Sequence, residues 1–89
     1  MTFTGAVVRE QGITFGIALV KELAMQTQHE ADRTRQSFQS GIEDFRGIPL
    51  ILASQNYNGE FSYQGRRDIV DFLCSIDASQ IPWMDYTVS

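Results

Sequence analysis

The most constraining feature of this chain is Gly47-Ile48-Pro49-Leu50-Ile51-Leu52-Ala53-Ser54, its one uninterrupted run of large aliphatic residues. Gly47 and Pro49 open the run, and the polar Ser54-Gln55-Asn56 closes it. A run of that length with those boundaries predicts a strand buried on both faces, inside a sheet. The remaining segments must supply its neighbours and its cover.

Ahead of it, Thr4 to Arg9 and Ile13 to Val20 read as two extended runs joined through Glu10-Gln11-Gly12, with Gly12 supplying the positive φ of a tight hairpin. In the second run Ile13, Phe15, Ile17 and Leu19 share one face, which belongs on the core. Thr14, Gly16, Ala18 and Val20 share the other, small enough to lie against a second backbone or a second subunit. Thr27-Gln28-His29-Glu30 matches a capping box, so a helix should begin there. Ala31, Thr34, Phe38, Ile42 and Phe45 give that helix an apolar stripe if it runs to Arg46, although Gly41 invites a bend or break. Gly47 followed by Pro49 is a stop signal.

After the central strand, Asn56-Tyr57-Asn58-Gly59 is turn chemistry, and Glu60 to Gln64 returns as a short strand with Phe61 and Tyr63 on one face. Gly65 breaks it. From Arg67 a second helix carries Ile69, Phe72, Leu73 and Ile76 at amphipathic spacing, with Asp68 and Asp71 in its first turns where the helix dipole favours negative charge. Trp83 and Tyr86 are too apolar for a free tail, so Asp77 to Ser89 should pack on the body or on a neighbour. The expected fold is a single α+β domain over residues 1–89. It is a two-layer α/β sandwich of order β-β-α-β-β-α, with a mixed four-stranded sheet, both helices on one face and parallel strands across the first helix.

The segment from Ile48-Pro49 through Ile76, a proline before a buried strand, a hairpin, a glycine and an amphipathic helix, is similar to the second half of a thioredoxin-like domain. That covers about a third of the chain. A cis Ile48–Pro49 bond would strengthen the likeness. No CxxC or lone cysteine follows the N-terminal strand, and Cys74 sits late in the final helix, so the resemblance brings no activity with it.

The chain has 89 residues, 43% of them hydrophobic and 20% charged, values of a globular domain. At this size only a little over ~60% of the unfolded surface is buried, and a partner subunit would help. Aromatics at 11%, including six Phe and three Tyr, exceed what two thin layers hide, which points to an interface. A net charge of −4 argues against nucleic acid, whose phosphates call for clustered Lys and Arg. No apolar stretch approaches a membrane span, Met1-Thr2-Phe3-Thr4 is unlike a signal segment, and a cytoplasmic setting is expected. A lone Cys74 excludes an internal disulfide or a cysteine zinc site within one chain.

Gly65-Arg66-Arg67 leads into a helix, so backbone amides and two guanidinium groups could take a small anion, with Asn56 and Tyr57 in the loop as further ligand contacts. The plainer account pairs both arginines with Asp68 and Asp71, and assigns Asn56 to turn formation. Trp83, Met84 and Tyr86 form a candidate protein interface, against a tail folded on its own core. His29 reads as a solvated first-turn residue, since consecutive residues such as His29 and Glu30 do not face one another on a helix, and His29, Glu30 and Asp32 lack the i, i+4 spacing of a metal site. Cys74 reads as a small, partly buried thiol, and Glu43-Asp44 as solvated carboxylates adjacent on the first helix. No catalytic residue, metal or cofactor is expected. The leading expectation is a non-enzymatic interaction or accessory module acting as a homo-oligomer, a homodimer first. The alternative is a small-anion binding domain using Gly65-Arg67 and Asn56-Gly59.

Overall fold

The structure, a computed structural model, describes residues 2–10 and 12–87. Strands β1 (Thr2–Glu10) and β2 (Ile13–Leu19) form an antiparallel hairpin in which Glu10 faces Ile13 and Gly5 faces Ala18. Gly12 has φ +76°, as the sequence predicts for this turn. A 3₁₀ turn (Glu22–Met25) leads to helix α1 (Gln28–Gly41), and a second (Glu43–Phe45) leads to β3 (Leu50–Gln55). Then come β4 (Phe61–Gln64), helix α2 (Arg67–Cys74), a third 3₁₀ turn (Ala78–Gln80) and β5 (Met84–Thr87).

The described residues form a mixed five-stranded sheet in the order β4-β3-β2-β1-β5, with β2 and β3 parallel and every other pair antiparallel. The fifth strand corrects the four-stranded expectation: Met84 to Thr87, expected to pack on the body or on a neighbour without forming a strand, pair with Gly5 to Thr2 of β1. Alternation of Met84 and Tyr86 with Asp85 and Thr87 is a strand period, which four residues carry too briefly to be heard.

The helices cover opposite faces, so the layers number three rather than two. Ile51 and Ala53 of β3 point into one core with Ala6, Val8, Phe15, Ile17 and the α2 residues Ile69 and Leu73. Leu50 and Leu52 point into the other, with Ala18, Ala31 of α1 and Phe45. The cause lies in the aliphatic run itself. A strand with no polar face needs cover on each side, and one helical layer provides only half of it.

Thr27 caps α1, its Oγ1 accepting the Glu30 amide at 3.1 Å, while the Glu30 carboxylate sits 3.8 Å from Arg33 instead of completing the box. The helix ends at Gly41, where the Ile42 amide still donates to the Phe38 carbonyl. Phe45 therefore reaches the core from the 3₁₀ turn beyond the helix. It lies over Gly16, where a Cβ would stand 2.7 Å from the ring. The small-residue face of β2 is thus covered by the chain's own Phe45, not by a second subunit. Ile48–Pro49 is trans, so the condition that would have strengthened the thioredoxin-like likeness is not met.

Candidate functional site

Arg35 organises the polar side of the molecule, and it falls inside the apolar stripe of α1, four residues after Ala31 and three before Phe38. A charge there needs partners. Its Nε donates to the Leu50 carbonyl at 2.8 Å, one terminal nitrogen to Asp32 at 2.9 Å, and the other to both the carbonyl and side-chain oxygen of Gln64. With a side chain only 18% exposed, it ties α1 to the start of β3 and the end of β4. Around it Gln28, Gln39, Pro49, Gln64, Gly65 and Arg66 line an open cleft of about 330 Å³. Gln64 Nε2 donates to Gln28 Oε1 at 3.2 Å, and Gln39 Nε2 to the Ile48 carbonyl at 2.8 Å.

Of the anion-site residues read from sequence, this cleft receives Gly65 and Arg66. Arg66 Nε donates to Asp68 at 2.8 Å and Arg67 Nε to Asp71 at 3.2 Å, the ion pairs of the plainer account. Asn56 and Tyr57 lie elsewhere. In the β3–β4 register Gln55 faces Phe61 while Leu52 faces Gln64, so the Asn56-Gly59 loop and Gly65-Arg67 occupy opposite ends of one hairpin. Asn56 Oδ1 accepts the amides of Asn58 and Glu60, both at 2.9 Å, closing the loop on itself, and Tyr57 is 98% exposed.

A second open cleft, of about 630 Å³, is walled by the stacked rings of Phe61, Tyr63 and Trp83, with Cys74 and Asp77 beside them. Burial raises the Tyr63 pKa above the ordinary tyrosine value, and the nearby Cys74 and Asp77 add to the shift. Asp77 is held below the usual carboxylate range by the backbone and side chain of Ser79; its Oδ1 accepts the Ser79 amide at 3.0 Å. Cys74 is exposed, not partly buried as expected, because it ends α2 off the apolar stripe. Glu43 and Asp44 are exposed in the 3₁₀ turn, past the end of α1. His29 is exposed in the first turn of α1.

Two of the three candidate interface residues pack against their own chain. Trp83 stacks on Phe61 at 5.7 Å and donates its indole N–H to the Ala78 carbonyl at 3.0 Å. Tyr86 stacks on Phe3 at 5.0 Å. Met84 remains 53% exposed. Among the described residues no three His, Cys, Asp or Glu side chains gather as a metal site, and no helix is long and apolar enough to cross a membrane. No family model, curated protein or solved structure matches the chain.

Proposed function

We propose that this chain is a non-enzymatic interaction module that works as a homodimer in the cytoplasm. The observation that carries the reading is the open sheet: its end strands, β4 and β5, each pair on one side only among the described residues. Unpaired strand edges are templates for another chain, and a small domain gains from the extra burial. An exposed thiol at Cys74 accords with a reducing compartment. Sedimentation velocity across micromolar concentrations tests the reading. A concentration-dependent dimer is expected, and a monomer throughout would overturn it.

The second reading is a small-anion site, favoured by one observation: Arg35 and Arg66 line the same cleft. Phosphate or acetate at millimolar concentration should then raise the melting temperature of the wild type and not of an Arg66→Ala variant. Equal behaviour of the two proteins would remove it.

A further inference from the structure

The β1 strand is longer than the strand beside it. β5 stops at Met84, opposite Gly5, whereas β1 continues to Glu10. The amide of Gly16 donates to the Pro49 carbonyl at 2.8 Å and that of Val20 to the Ala53 carbonyl at 2.7 Å, so the even-numbered residues of β2 turn their backbones toward β3. Ile13, Phe15 and Ile17 must then turn toward β1, where they face Glu10, Val8 and Ala6. By alternation Val7 and Arg9 direct their N–H and C=O groups outward, beyond the end of β5, where no strand of the described residues meets them. Beside this edge, on the α2 face, an open groove of about 580 Å³ runs past Val8, Phe72, Ile76 and Pro82.

We infer that the free edge of β1 is the self-association surface, pairing antiparallel with the same edge of a second copy, with Val8 opposite Val8. The inference rests on the homodimer reading above. An extended backbone is what two outward amides and two outward carbonyls at alternate positions recognise. A two-fold axis normal to the sheet keeps the faces of both copies in common, so only centred registers are allowed. Centring on Val7 would place the copy's Arg9 opposite Gly5, where Met84 already pairs. Centring on Arg9 would set two guanidinium groups opposite each other, which is unfavourable. Centring on Val8 lets Val7 of each copy exchange both hydrogen bonds with Arg9 of the other, and sets Glu10 opposite Ala6. It also brings the two Val8 side chains together beside the Phe72 and Ile76 groove.

The register is testable by cross-linking. Val8 would face its copy as a non-hydrogen-bonded pair, whose Cα separation of about 4.5 Å lies within disulfide range. In a Cys74→Ser background, Val8→Cys should give a disulfide-linked dimer on mild oxidation, while Thr14→Cys should not. Arg9→Pro forfeits no bond inside the chain, since that amide points outward, and it should weaken dimerisation about tenfold or more. Retained circular dichroism and Trp83 fluorescence would show that this variant folds. A wild-type dimer that survives Arg9→Pro and resists cross-linking through Val8→Cys overturns the inference and leaves the homodimer reading standing. A wild-type monomer with freely exchanging Val7 and Arg9 amides overturns both and leaves the edge to a strand from another protein.

Discussion

Gly16 shows how one missing methyl group sets a whole layer. Its Cα lies under the Phe45 ring, and a Cβ would stand 2.7 Å from that ring and 3.1 Å from the Leu50 side chain. Both neighbours are buried, so neither has room to retreat. Gly16→Ala should lower stability by about 1–3 kcal/mol, the usual range for overpacking, read as a lower urea midpoint at unchanged slope. Tyr86 presents the converse case: its hydroxyl oxygen is buried with no hydrogen-bond partner among the described residues. Tyr86→Phe removes that unpaired group and should leave stability unchanged or raise it by about 1 kcal/mol. The same burial, with Asp44 adding negative charge, lifts the Tyr86 pKa, and Tyr63 is lifted as well. Unfolded tyrosines ionise first, near pH ~10, so the folded state holds its full advantage below that pH. The advantage is lost as pH rises through the raised folded pKa values. Tyr63→Phe should flatten this alkaline fall in melting temperature, and an unchanged slope would contradict the assignment.

At the scale of elements, α1 is held to the sheet as much by Arg35 as by its apolar stripe. Arg35→Met keeps most of the stem but removes every donor, stranding the Leu50 carbonyl and the Gln64 oxygens that now receive them. A loss of about 2–3 kcal/mol is expected, against roughly 0.5 kcal/mol for Asp32→Asn, whose carboxylate is exposed. Urea unfolding of the two variants separates the bonds to the backbone from the surface ion pair. Position in the stripe was the available signal for Arg35, but its partners Leu50 and Gln64 are distant in sequence and no local period announces them. What local rules govern was legible: the hairpin at Gly12, the cap at Thr27, the break at Gly41, the amphipathic face of α2 and the parallel step from β2 to β3. The stop read at Gly47 and Pro49 was not where α1 ends, which is at Gly41. The side of the sheet that each helix takes was not, because an amphipathic helix specifies that it must be covered and not by which face. The candidate anion site divided for a simpler reason. Arg66 and Asn56 stand ten residues apart at the two ends of a hairpin, held apart by the length of β4, the short strand read between them from sequence.

For the molecule as a whole, β3 is the wall common to two cores. Ile51 and Leu52 are both fully buried, yet they point to opposite sides, toward α2 and α1 respectively. In a domain whose total stability is of order 5–15 kcal/mol, neither core is expected to survive alone once its shared wall is lost. Trp83 reports on the α2 side only, packed against that core through Phe61. Leu52→Ala empties space on the α1 side and should remove about 2–5 kcal/mol. If the three layers unfold as one unit, the Trp83 fluorescence transition of Leu52→Ala moves to lower urea by the same amount as its far-ultraviolet circular dichroism, and Ile51→Ala behaves alike. A fluorescence midpoint that stays at the wild-type value while the dichroism midpoint falls would mean that the α1 layer detaches separately. β3, which contributes side chains to both cores, would then be a hinge between two modules instead of the wall that joins them.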